Sequence, residues 1–254
     1  MGQDKLGFVI GGVQKAGTCT LDAIFRLHPQ IQMARDKEPH FFDDDVRDWR
    51  APDYGPLNAL FSDKNPGLRG EATPITLYWR PAIVRLRDYN PDLRFILILR
   101  DPVTRAFSNW RKEFSIGRET LPFAEAIRAG RDRVRARPGG LHRVFSYVER
   151  GLYAEQLDDL QEHFPADAIH IEIFEELFRD RAAGLERIAA FLGVDSFPDD
   201  IPDLHLNAAR DFAYPSTLTP EDADHLSALF HDDIKRLETR IGRPIPDWRR
   251  GASV

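Results

Sequence analysis

The run Leu93–Leu99, Leu-Arg-Phe-Ile-Leu-Ile-Leu, passes without a break into Arg100-Asp101-Pro102. Nearly every position in it is apolar, so it predicts a strand buried on both faces, the pattern of a parallel sheet. Pro102 stands where the first turn of a following helix tolerates proline. Parallel strands need crossover connections, and those connections are usually helices. The rest of the chain supplies them. Leu6–Gly12 reads as a strand, and Thr18–Leu27 as a helix with Leu21, Ile24, Phe25 and Leu27 on one face. Ile31–Ala34 reads as a short strand, Asp43–Gly67 as a loop with helical fragments, and Pro74–Tyr89 as a helix. Helices are predicted from Pro122 to about Arg137, over Glu149–Phe164 and over Ala182–Leu192, with a strand at Ala168–Ile173. Thr219 caps a last helix that reaches about Ile241. The expected fold class is α/β: one domain over residues 1–254, with a central parallel β-sheet flanked by helices.

Composition narrows the function. Of 254 residues 42% are hydrophobic and 30% charged, enough for a sizeable core, and no apolar run approaches the roughly 20 residues of a membrane helix. The single cysteine, Cys19, excludes an internal disulfide and a cysteine-based metal cage. A net charge of -6 argues against non-specific nucleic-acid binding, while leaving room for a local basic pocket. Leu6–Val13 is short and glycine-rich for a signal-peptide core, and Leu6 stands where a myristoylation signal needs Ser or Thr. The expectation is a soluble cytoplasmic protein without a membrane span.

In an open parallel sheet, ligands bind beyond the carboxyl ends of the strands. Two strand-to-helix turns lie there. The first is Gly11-Gly12-Val13-Gln14-Lys15-Ala16-Gly17-Thr18-Cys19-Thr20-Leu21. Its glycines permit close approach to a phosphate, the helix N-terminus favours an anion, Lys15 adds charge and Thr18 and Thr20 add hydroxyls. The lysine precedes the last glycine, unlike the Gly-Lys-Ser/Thr order of a nucleotide-triphosphate loop. The second turn runs from Leu99 through Arg100 to Ser108. Arg100 offers a planar fork to a phosphate, and Ser108 sits about 12 Å further along a helix.

Lys15-x-Gly17-Thr18 resembles the 5′-phosphosulfate loop of sulfotransferases that use PAPS (3′-phosphoadenosine 5′-phosphosulfate). Arg100 with Ser108 resembles the 3′-phosphate motif of the same family. His28-Pro29, then Lys37-Glu38-Pro39-His40-Phe41-Phe42, is similar to the segment that carries the catalytic glutamate in the carbohydrate branch, which includes heparan sulfate sulfotransferases. Gly70-Glu71-Ala72-Thr73-Pro74 resembles a substrate-side segment, and Arg236-Leu237 to Trp248 the closing helix. The chain resembles a soluble, bacterial-type member, with Cys19 where many relatives carry threonine.

The resemblance implies a P-loop-kinase-like fold, PAPS as donor, PAP as product, and no metal. It implies donor contacts from Lys15, Ala16, Gly17, Thr18, Cys19, Thr20, Arg100, Ser108 and Arg210. Glu38 becomes the candidate base, Lys15 the group that neutralises the leaving phosphate, and His40 a residue that positions Glu38 or the acceptor. Glu71 and His40 would face an acceptor, either a small molecule or an oligosaccharide, through a hydroxyl or an amine. His28 reads as a residue that ends a helix, and Tyr153 and Gln156 as packing or capping groups. The run Arg128, Arg131, Arg133, Arg135, Arg137 reads either as a solvated helix face or as an anion clamp. Two other functions stay open: a kinase using Mg-ATP, with Asp101 as its metal-binding aspartate, and an inactive nucleotide-binding module. The acceptor's identity and the oligomeric state are not encoded in any motif.

Overall fold

The computed structural model describes residues 5–62, 66–198, 200–202 and 212–249. The chain divides into two compact units, Met1–Leu99 with Asp159–Ala208, and Arg100–Asp158 with Ala209–Val254.

The first unit is built on the sheet. Its elements begin with β1 (Phe8–Gly12), α1 (Thr18–Phe25), β2 (Ile31–Met33), the single-turn α2 (Gly55–Asn58) and β3 (Leu68–Glu71). Then come α3 (Arg80–Tyr89) and β4 (Arg94–Leu99). Among the described residues the strands form one parallel sheet in the order β2-β3-β1-β4 followed by a last strand at Ile169–Ile173. The apolar run reads correctly: five of the six residues of β4 are buried, and Phe8 pairs with Arg94 and Ile10 with Ile96 in register. The Phe95 ring packs on Phe164 with centroids 4.6 Å apart, and Phe8 on Phe25 at 5.6 Å. From β1 the chain crosses to one side of the sheet, and from β4 to the other. The ends of β1 and β4 therefore lie side by side at the reversal of strand order, the place where such sheets bind ligands.

The second unit opens with α4 (Pro102–Ser115), followed by α5 (Phe123–Arg135) and most of α6 (Tyr153–Gln161). The Asp101 side chain caps α4 by accepting from the Thr104 amide at 2.7 Å. The last strand, β5 (Ile169–Ile173), runs straight into α7 (Phe174–Arg179), and α8 (Arg181–Leu192) follows; these belong to the first unit. The last long helix, α9 (Pro220–Ile241), returns to the second unit and is capped by Thr219, as its sequence predicts. No helix among the described residues is long and apolar enough to cross a membrane.

One strand is added to what the sequence predicts and two helical expectations are corrected. The added strand is β3, in which Arg69, Gly70 and Glu71 are buried. Gly70 is required because a Cβ there would stand 2.0 Å from the Phe8 ring. The predicted helix from Pro74 begins only at Arg80; the preceding turns are held by Leu77 N donating to Gly11 O at 2.9 Å. The predicted helix from Glu149 is a 3-10 turn over Glu149–Gly151, then α6, separated at Leu152, whose ψ of 79° is not helical.

Candidate active site

Residues 13–17 connect β1 to α1. The Val13 amide donates to Ile98 O at 2.8 Å, which ties the start of the loop to β4. Lys15 has φ 75° and Gly17 φ 77°, so the chain reverses twice before α1 starts. Gly17 occupies the N-cap position with no side chain over the helix end, and the first turn of α1 carries no acidic residue. The positive dipole end of α1 is therefore not offset by a carboxylate in its first turn and favours an anion. A Cβ on Gly17 would lie 2.7 Å from the Phe178 ring and 3.1 Å from Phe174, so glycine is demanded by both backbone and packing. Ala16, Thr18 and Thr20 are buried, and Cys19 is half-buried.

The segment after β2 carries the second group. Glu38 N donates to Ala72 O at 3.1 Å, which fastens this segment to the residue after β3. Lys37 Nζ lies 2.8 Å from Glu38 Oε1, and His40 Nε2 lies 3.6 Å from Glu38 Oε2. The other ring nitrogen, Nδ1, is 2.9 Å from Asp43 Oδ2. Asp43 is buried, while the Glu38 carboxylate is 39% exposed and can meet a ligand. Burial works against the Lys37 ammonium, but Glu38 and then the Cys19 side chain more than compensate and hold its pKa above the ordinary value. Lys37 thus lies between the segment with Glu38 and the first turn of α1, where Cys19 stands.

Among the described residues, Lys15, Glu38 and His40 are the non-glycine residues with positive φ. Such conformations cost energy and persist where the surroundings enforce them, commonly at functional sites. Glu71, at the end of β3, is buried and accepts from Thr73 Oγ1 at 2.5 Å. Burial pushes its pKa up to about 7; the Thr73 hydroxyl opposes the shift, and the Asp43 carboxylate adds to it.

The structure brings the sequence candidates Glu38 and His40 together with Lys37 and with Asp43, a residue the sequence reading does not single out. The spacing His40-x-x-Asp43 is the signal that could have found the aspartate. His28 is structural as expected: it bonds Asp195 O at 2.9 Å and packs on Phe197. In the second unit, Arg100 directly follows β4, and its carbonyl accepts from Tyr153 Oη at 2.7 Å; Ser108 lies on α4. Gln156 is buried and donates to Leu152 O at 2.7 Å and to Glu149 O, a structural role as expected, though it caps no helix end. The arginine run resolves mostly into ion pairs: Arg128 with Asp222, Arg131 with Glu149, Arg133 with Glu119 and Arg135 with Asp132. Arg210 lies outside the described residues.

Residues 7–214 match the sulfotransferase domain family. The mouse heparan sulfate glucosamine 3-O-sulfotransferase 3B1 is 34% identical over 192 residues, covering 73% of this chain and 45% of that protein. The chain spans about half the length of the curated relatives it matches. The crystal structure of a sulfotransferase from Alicyclobacillus acidocaldarius superimposes with a TM-score of 0.80 at 30% identity, covering 97% of this chain and 99% of that one. The fold is also shared with mouse SULT7A1, solved in complex with PAP, at a TM-score of 0.50 and 17% identity, covering 92% of this chain and 85% of that one.

Proposed function

Because the chain belongs to the sulfotransferase domain family, we propose that it moves a sulfuryl group from PAPS to a hydroxyl of a carbohydrate acceptor. The observation that carries this reading is the Asp43–His40–Glu38 alignment, with the Glu38 carboxylate accessible and His40 held on the far side by a buried aspartate. In the proposed reaction Glu38 takes the acceptor proton, and the acceptor oxygen forms its bond to sulfur. The bond from sulfur to the 5′-phosphate oxygen breaks, and its electron pair leaves with PAP. His40 orients Glu38, and Asp43 orients His40. Lys15 and the amides at the start of α1 offset the charge that grows on the leaving phosphate. The N-terminus of α1, without an acidic side chain in its first turn, suits that anion.

Recognition of the 3′-phosphate is assigned to Arg100 and Ser108 on the strength of their motif, together with Arg210. The loop contacts from Ala16, Gly17, Thr18, Cys19 and Thr20 rest on the same likeness. The names of the relatives support a sugar hydroxyl as the acceptor group. The kinase alternative rests on Asp101, whose Oδ1 caps α4 by accepting from the Thr104 amide.

The test is transfer of labelled sulfate from PAPS across panels of oligosaccharides, lipids and natural products, paired with thermal shifts by PAP and by Mg-ATP. The proposal expects label on a saccharide and stabilisation by PAP. Stabilisation by Mg-ATP alone, with no labelled product, contradicts it.

A further inference from the structure

The Arg100 carbonyl lies between two hydrogen-bonding patterns. The β4–β5 ladder ends at the pair Leu99–Ile173, and α4 begins at Pro102. A backbone acceptor at such a joint needs a partner from outside both elements. Arg100 O takes one from a helix of the same unit: Tyr153 Oη donates to it at 2.7 Å. The next residue is tied down locally, since Asp101 Oδ1 accepts from Thr104 N at 2.7 Å and Asp101 O from Arg105 N at 2.9 Å. The Tyr153 bond instead reaches across 53 residues of chain.

Tyr153 is itself firmly placed. It is fully buried, it opens α6, and its ring packs on Trp248 with centroids 5.7 Å apart. Asp233, on α9, accepts from Ala154 N at 3.0 Å and from Glu155 N at 3.1 Å, so a neighbouring helix caps the first turn of α6. The fully buried Arg105 guanidinium donates to Tyr147 O and lies beside the Tyr153 hydroxyl. Burial holds the Arg105 pKa below its ordinary value; Tyr153 counters that shift, and the charge of Arg100 adds to it. All of these residues belong to the second unit.

Packing alone does not ask for a hydroxyl at this position, since a phenylalanine ring would fill the same space against Trp248. The oxygen serves the contact with Arg100 O. That contact fixes the backbone from which the Arg100 side chain starts. A planar guanidinium that grips a phosphate works only within about 0.5 Å and 10–20° of its productive geometry, and a group fixed beforehand loses less freedom on binding.

Resting on the reading that Arg100 takes the 3′-phosphate of PAPS, we infer that Tyr153 is a positioning residue for that contact. Through Arg100 O it sets the backbone from which the guanidinium reaches the phosphate, and its whole effect on the donor passes through Arg100.

The test is calorimetry of the whole chain with PAP and with adenosine 5′-phosphosulfate, which lacks the 3′-phosphate. Tyr153→Phe removes the hydroxyl and keeps the ring. It is expected to bind PAP about three- to tenfold more weakly, the scale of one net hydrogen bond, and to bind adenosine 5′-phosphosulfate as the parent does. In an Arg100→Ala background, Tyr153→Phe is expected to cost PAP nothing further, because the two residues act as one unit. Trp248→Phe thins the packing and leaves the hydroxyl; it is expected to lower the thermal midpoint without changing the ratio of the two affinities. Unaltered PAP affinity in Tyr153→Phe overturns the inference. So do equal losses of both ligands, a further PAP loss in the Arg100→Ala background, or a PAP-selective loss in Trp248→Phe. Arg100→Ala alone separates the two levels. A PAP-selective loss there beside an unaltered Tyr153→Phe removes only the positioning role. Equal losses of both ligands in Arg100→Ala, or a parent that does not bind PAP, remove the reading of Arg100 on which the inference rests.

Discussion

His40 stands between two carboxylates, with Nδ1 2.9 Å from the buried Asp43 and Nε2 3.6 Å from the accessible Glu38. The buried partner fixes the ring, and the exposed partner is the group that can meet an acceptor. Asp43→Asn keeps the side-chain size and removes the charge. Turnover is expected to fall by about 10–100-fold, the scale of a misplaced catalytic group. PAP affinity is expected to hold. Steady-state kinetics alongside PAP calorimetry checks this, and an unchanged turnover would show that Asp43 only packs.

Arg100→Ala tests the reading of the 3′-phosphate. A lost charge-assisted hydrogen bond costs about 1.5–3 kcal/mol, so PAP is expected to bind roughly tenfold to over a hundredfold more weakly. Adenosine 5′-phosphosulfate lacks the 3′-phosphate and is expected to change little. Calorimetry with both ligands decides; equal losses mean that Arg100 does not read that group.

Glu71 predicts a pH dependence of stability. Its pKa is about 7 in the folded chain against a reference of 4.5. Between these values the folded state holds a proton that the unfolded state has released, so stability falls as pH rises through this window. The slope is about 1.4 kcal/mol per pH unit at most. Glu71→Gln removes this contribution. Its denaturation midpoint relative to the parent is expected to climb from about pH 4.5 to about pH 7 and then level off. A constant difference across that window would mean that Glu71 is not held neutral.

Much of the sheet is legible in the sequence because β1 and β4 are apolar at almost every position and end in turns of distinctive chemistry. The strand β3 is not legible, since Arg69 and Glu71 are polar and Gly70 disfavours a strand; it exists because Phe8 and the neighbouring strands bury it. Lys15, Glu38 and Arg100 are singled out by motif. Asp43 is not, because the spacing His40-x-x-Asp43 is common and becomes a contact only through the backbone reversal at His40, with φ 51°. The bond from Tyr153 to Arg100 is equally silent in the sequence, since its partners lie 53 residues apart.

The central claim is that Glu38 takes the acceptor proton. Glu38→Gln preserves size and hydrogen bonding and cannot serve as that base. The decisive measurement is labelled-sulfate turnover of this variant beside its PAP affinity. The account predicts turnover reduced by about 10²–10⁴, the usual contribution of a positioned base, with PAP bound as tightly as by the parent. Lys15→Ala, on the donor side, should lose both. Retention of most turnover in Glu38→Gln would contradict the account and move the base to His40 or Glu71.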